Sequence, residues 1–194
     1  MPHIPSAPTA ELSILPFADA MARSGQSGGY DAEKWLYVPD FYTEYRYLLG
    51  TRGEKPLVCI GINPSTAEPD RVAKNNGYDS FLMFNVYAQR ATRPNDMERV
   101  CNEALHRANM EAFDYILSLS EQPAVWAAWG NIIEQRAYLK DCLADMIAIG
   151  ERHGAQWYTA GRRSVKGHPH HPLYLKATSP LDAFDIRAYC AECL

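Results

Sequence analysis

Four short apolar runs, with helically periodic stretches among them, constrain this chain more than any other feature. The runs are Leu57-Val58-Cys59-Ile60-Gly61, Phe81-Leu82-Met83-Phe84-Asn85-Val86, Ala124-Val125-Trp126-Ala127-Ala128-Trp129-Gly130 and Ala155-Gln156-Trp157-Tyr158-Thr159-Ala160. A strand with one solvated face alternates apolar and polar residues, whereas a continuous apolar run fits a strand buried on both faces. Between the second and third runs, residues 96–119 place Met97, Val100, Ala104, Leu105, Ala108, Ala112, Phe113, Ile116 and Leu117 at helical spacing. Pro94-Asn95-Asp96 reads as the start of that helix. Residues 132–149 carry a second stripe of Ala137, Leu139, Leu143, Met146 and Ile147, and Gly150 reads as its stop. Strands alternating with helices predict an α/β fold: a three-layer sandwich around a mainly parallel, four-stranded central sheet.

The N-terminal third is different in kind. Residues 1–30 are rich in Pro, Ser, Ala and Gly, which predicts a loosely held arm with one short helix around residues 17–23. Residues 31–194 are then a single α/β domain. Residues 35–49 are heavy in aromatics, with Trp35, Tyr37, Phe41, Tyr42, Tyr45 and Tyr47, and predict a hairpin ahead of the main sheet. That segment fits either an interface or packing on the sheet, and oligomeric state stays open. No stretch approaches the roughly 20 apolar residues that span a bilayer. The first residues lack the basic and apolar segments of a secretory signal. The five cysteines are an odd count at irregular spacing, which fits reduced thiols in a cytoplasmic protein. Cys190-Ala-Glu-Cys193 is one CxxC without a histidine nearby, and reads as a thiol pair on a terminal helix rather than a zinc site.

Charge narrows the function classes. The chain of 194 residues has a formal net charge of −4, which excludes a bulk, sequence-blind nucleic-acid coat. The distribution is uneven. Residues 161–176 hold Arg162, Arg163, Lys166 and Lys176 with no acid, so a local +4 sits on a remainder of −8. An acidic body with one basic rim suits a small anionic ligand or a single stretch of phosphates.

Ligands in parallel sheets sit at the carboxyl ends of the strands, so the segments after the apolar runs matter most. The first is Gly61-Ile62-Asn63-Pro64-Ser65-Thr66-Ala67. Gly61 permits close approach, and Pro64 drives Asn63 away from helical geometry. Asn63 can then orient a water or a carbonyl, or the segment is a turn capped by Ser65 or Thr66. The second brings Asn85, an amide in an apolar run that must find partners in backbone or ligand, and then Arg90 and Arg93 as phosphate contacts. The third, Trp129-Gly130-Asn131, reads as a tight turn with Asn131 as N-cap. The fourth is the dense segment of residues 161–176, with His168, His170 and His171. It is a metal site, a solvated basic loop, or an anion site in which a histidine donates to developing negative charge. The histidine spacing does not match a helical ligand pair.

Together these motifs resemble the uracil-DNA glycosylase superfamily. Gly61-Ile62-Asn63-Pro64 is similar to the first motif of its mismatch-specific branch. Asn85 with Arg90 and Arg93-Pro94 resembles the second-strand motif of the iron–sulfur branch, and His171-Pro172 resembles the terminal His-Pro motif. More closely, residues 45–175 resemble the family known as domain of unknown function 1643, through Asn-Pro-Ser-Thr-Ala at 63–67, Trp129-Gly130 and His-Pro-Leu-Tyr-Leu at 171–175. The glycosylase resemblance implies that Asn63 positions a water or contacts the base, with Gly61, Pro64 and Ser65 bordering it. It implies that Asn85 reads the Watson–Crick edge of a flipped base and that His171 stabilises the leaving pyrimidine's oxyanion. Arg90, Arg93, Arg162, Arg163 and Lys166 would grip phosphate. The chain departs from the pattern in several places. Its cysteines do not sit at cluster positions, so no metal and no cofactor is expected. Ser65 stands where the mismatch branch has Gly, Leu173-Tyr174 replaces the intercalating Ser-Pro, and no acid follows the first run until Glu68. Two functions are expected: chemistry at a glycosidic bond, or non-catalytic binding of a nucleotide or nucleic acid in the same pocket.

Overall fold

The computed structural model describes residues 13–24, 33–41, 43–62, 69–91 and 93–194. In chain order these form α1 (Phe17–Arg23), β1 (Trp35–Val38), β2 (Leu48–Thr51), β3 (Pro56–Gly61), α2 (Pro69–Asn75), β4 (Ser80–Asn85), α3 (Glu103–Ser118), β5 (Ala124–Ala127), α4 (Tyr138–Arg152), β6 (Gln156–Ala160), β7 (Leu181–Ala183) and α5 (Ile186–Cys193). One mixed, seven-stranded sheet runs in the order β1-β2-β4-β3-β5-β6-β7. The β3–β4, β3–β5 and β5–β6 pairs are parallel, while β1–β2, β2–β4 and β6–β7 are antiparallel. The four-stranded expectation therefore falls short. The β1–β2 pair joins the sheet through β2–β4, and β7 adds a seventh strand at the far edge. A three-residue strand such as Leu181-Asp182-Ala183 is too short to leave a periodic signal.

The central strands are apolar throughout because both faces are covered. Val58, Ile60, Leu82, Phe84, Val125 and Ala127 share one cluster with Leu105, Phe113 and Leu117 of α3, Leu143 and Met146 of α4, and Tyr189 of α5. Leu57, Cys59, Phe81, Met83 and Trp126 face the other way, onto Val72 and Ala73 of α2. The period of two along each strand sorts these residues between the faces.

Differences from the sequence-based expectation have identifiable causes, several of them far away in the chain. Residues 94–96 form only a 3-10 turn, and α3 begins at Glu103, where the Asn102 side chain accepts from the Ala104 and Leu105 N–H groups. Gly150 does not stop α4. A Cβ there would lie 2.6 Å from Trp157 Cζ2, so the glycine is a packing requirement, and the helix runs on to Arg152. Asn131 caps no α-helix, because residues 130–134 form a 3-10 turn. Its side chain instead accepts from the Ser164 hydroxyl at 2.7 Å. Within the expected loose arm, residues 13–24 are held in place: Phe17 and Ala20 are buried, Tyr47 donates to the Leu15 carbonyl, and Phe17 meets Tyr115 at 5.6 Å. The aromatic segment packs inward too, with Tyr45 and Tyr47 buried. Among the described residues no helix is long and apolar enough to cross a membrane.

Candidate functional site

The chain leaves β3 for β4 on one side and then crosses to β5 on the other. The strand order therefore reverses between the carboxyl ends of β3 and β5, and it is in the crevice outside such a reversal that open parallel sheets bind ligands. Gly61, the last residue of β3, pairs with Asn85, the last residue of β4. The Val86 N–H continues the ladder by donating to the Gly61 carbonyl at 2.9 Å. Asn85 itself is buried. Period-two alternation puts its side chain on the face of Phe81 and Met83, the α2 side. Asn63, Pro64 and Ser65 lie outside the described residues, one to three positions beyond Ile62.

The fourth loop returns across this crevice. The Gly130 N–H donates to the Pro169 carbonyl at 3.0 Å. Gly130 takes a left-handed backbone (φ +64°), and a Cβ there would lie 3.2 Å from the His171 Cβ. The backbone conformation favours glycine there, and a side chain would press on His171. His171 is buried, and its Nε2 lies 3.1 Å from the Ile62 carbonyl while its Nδ1 lies 3.2 Å from the Leu173 N–H. Only a bare Nδ1 can accept from that N–H, so Nε2 carries the proton and donates to Ile62. Burial pushes the imidazole below its ordinary pKa, opposed by the Ile62 bond, so the ring is held neutral. His171 thus spans from the β5 loop to the end of β3.

His168, on the same loop, belongs to a separate chain of polar contacts. It is buried, with Nδ1 2.9 Å from the Tyr189 hydroxyl and Nε2 3.2 Å from a Glu134 carboxylate oxygen. A carboxylate only accepts, so Nε2–H donates to Glu134 and the Tyr189 hydroxyl donates to Nδ1. Tyr189 in turn accepts from Trp129 Nε1 at 2.9 Å, and Lys166 donates to the other Glu134 oxygen. The Lys166 and His168 bonds hold the Glu134 carboxyl below its ordinary pKa. This chain of bonds ties the basic loop to α5 and to the turn after β5.

The predicted phosphate contacts fall into three groups. Arg90 is half-buried and donates to the Thr43 carbonyl at 3.2 Å, anchoring the segment after β1. Arg163 pairs with Glu192 at 3.1 Å, and Lys166 with Glu134. Both are exposed ion pairs, and Glu134 also accepts from the buried His168. Arg93 and Arg162 are exposed. Val165, Leu173 and Tyr174 project from the same rim into solvent.

One residue with no sequence-level assignment supports the site from below. Asn109, fully buried on α3, donates to the Asn85 carbonyl at 3.0 Å and to the Val86 carbonyl at 3.4 Å. Its signal is an amide on the stripe of Leu105, Ala108, Ala112 and Phe113. A cavity of about 530 Å³ opens at the opposite, amino-terminal end of the parallel strands, beside Arg52, Lys55, Gln122 and Gln156. It shares none of the site residues named above. Among the described residues no group of three or more His, Cys, Asp and Glu side chains could hold a metal ion. All five cysteines are free thiols.

No curated protein matches this chain. No solved structure matches it either. One family model does match, over residues 46–173, a span that runs from the residue before Tyr47 through the His171-Pro172-Leu173 segment. The chain therefore belongs to the family described as protein of unknown function (DUF1643).

Proposed function

We propose that this protein is directed at a nucleobase or nucleotide, with a uracil-DNA-glycosylase-like site at the β3–β5 crevice in a three-layer arrangement around the four parallel strands. The observation that carries this reading is His171, buried as a neutral Nε2–H donor against Ile62, the residue before Asn63. A base leaving its sugar takes the bonding electron pair and becomes an anion. A neutral, preorganised N–H stabilises such charge without first having to lose a proton. In this reading His171 exchanges the Ile62 carbonyl for the base oxygen. Asn63 directs the water that attacks the sugar carbon, and Asn85 reads the base edge beside Gly61, Pro64 and Ser65. Arg93 and Arg162, with Arg163 and Lys166 once released from their carboxylates, take phosphate, while Arg90 braces the loop.

The test is release of free base. Purified protein is incubated with DNA, RNA and nucleotides carrying a panel of natural and modified bases, and free base is separated by chromatography. Release that disappears in Asn63→Ala and His171→Ala, in proteins that still unfold cooperatively, supports the reading. A wild-type protein that releases no base from any substrate overturns the catalytic form.

A second reading, non-catalytic binding in the same crevice, draws on the fact that both ring nitrogens of His171 are already engaged. It expects salt-sensitive binding of a nucleotide or oligonucleotide that weakens in the Arg162→Ala/Arg163→Ala double variant. Absence of binding at low salt overturns it.

A further inference from the structure

The basic loop after β6 is anchored through its histidines and leaves its apolar side chains in water. Seven large apolar side chains are exposed among the described residues, and three of them, Val165, Leu173 and Tyr174, belong to this loop. Tyr174 is 75% exposed, yet its backbone is fixed. Pro172–Tyr174 form a 3-10 turn, in which the Tyr174 N–H donates to the His171 carbonyl at 3.0 Å and the Leu175 N–H to that of Pro172 at 3.1 Å. The Tyr174 ring meets the His171 ring at 68°, with centroids 6.4 Å apart.

The two ends of the loop meet beside this ring. A Cβ built on Gly161 would lie 3.2 Å from Leu175 Cδ2, so Arg162 and Tyr174, each one residue from that contact, are brought to one rim. Arg162 and Lys176 are exposed there, and Arg163 and Lys166 hold their carboxylates at the surface. A lone exposed ring is ordinary on a protein surface. A rigidly held ring among cations is the arrangement that takes a single nucleic-acid strand, with phosphates held by charge and a base stacked on the ring. A duplex presents no open base face, and its continuous phosphate track would meet the acidic remainder of the chain, −8 in formal charge.

We propose that the ligand of this site is a single-stranded polynucleotide, in which the base next to the one in the crevice stacks on Tyr174 while the cations of the rim hold its phosphates. The inference rests on the nucleobase reading of the crevice and adds the class of ligand, a strand rather than a free nucleotide. The 6.4 Å between the His171 and Tyr174 rings sets the two base positions side by side. Drawing a base into the crevice costs less from a single strand than from a duplex, because no base pair has to break. The stack on Tyr174 then holds the neighbouring base in register.

Calorimetric titration of the full chain at low salt compares a short mixed-sequence DNA strand, the same strand paired with its complement, polyglutamate, and a mixture of the four mononucleotides. The strand is expected to bind more tightly than any of the others. Tyr174→Ala, checked for cooperative unfolding, is expected to weaken the strand by about 5- to 150-fold, the loss of one base–aromatic stack. Tyr174→Phe keeps the ring and is expected to bind the strand like wild type. Equal affinity for strand and duplex overturns the inference while the crevice reading stands. The same holds for a strand affinity that Tyr174→Ala leaves unchanged, for an equal loss in Tyr174→Ala and Tyr174→Phe, and for polyglutamate that binds as tightly as the strand. Wild-type protein that binds neither strand nor mononucleotides overturns the nucleobase reading, and this inference with it.

Discussion

His171 donates its Nε2–H to the carbonyl of Ile62, 109 positions earlier in the chain, at 3.1 Å. That bond joins the loop after β6 to the end of β3 across the crevice where the strand order reverses. It also fixes the tautomer, because Nδ1 is taken by the Leu173 N–H. A buried neutral donor at a strand-end crevice is the centre of the functional account, and its protonation is open to measurement.

Stability should report that protonation. Burial places the folded-state pKa of His171 below the ordinary 6.5. Above about pH 6.5 the ring is neutral whether the chain is folded or not, and it contributes no pH dependence. As pH falls below that value, the unfolded chain binds a proton that the folded chain does not, so stability declines. Chemical denaturation between about pH 7 and pH 5 should therefore show a steeper loss for wild type than for His171→Asn. Equal slopes would contradict a neutral His171.

The polar chain around His168 should be costly to interrupt. Tyr189→Phe removes the hydroxyl that accepts from Trp129 and donates to His168, leaving two buried partners without it. A loss of about 1–3 kcal/mol is expected in denaturant melts. Glu134→Gln keeps an acceptor for His168 at an exposed position and should cost less. A Tyr189→Phe protein as stable as wild type would show that these bonds do not hold the loop.

Asn109→Ala should cost about 1–3 kcal/mol by stripping donors from the Asn85 and Val86 carbonyls. The effect should be local as well as global. Amide exchange should speed up at the end of β4 before it does in β5. Uniform destabilisation without a local change would make Asn109 an ordinary core residue.

The legible part of the fold is its middle. Leu57–Gly61 and Phe81–Val86 read as doubly buried strands because helices cover both faces, and the periodic stripes of α3 and α4 read as helices. What the pattern misses depends on distant partners. Gly150 looks like a helix stop until Trp157 is seen packed against it. Asn131 looks like a cap until Ser164 claims its side chain. His168 stands in a row of histidines that reads as one cluster. Its two partners, Tyr189 and Glu134, are 21 and 34 positions away, which no local pattern encodes. The basic rim is visible as charge, but Glu192 and Glu134, which partly neutralise it, are not visible as its partners.

The most direct test locates the ligand. Amide and imidazole resonances of the protein are followed by NMR while a pyrimidine nucleotide, and separately a short single-stranded oligonucleotide, is added. Perturbations should centre on Ile62, Asn85, Gly130 and His171, with the His171 Nε2 resonance moving as it leaves the Ile62 carbonyl. Perturbations confined to Arg52, Lys55, Gln122 and Gln156 around the opposite cavity, or none at all, would contradict it.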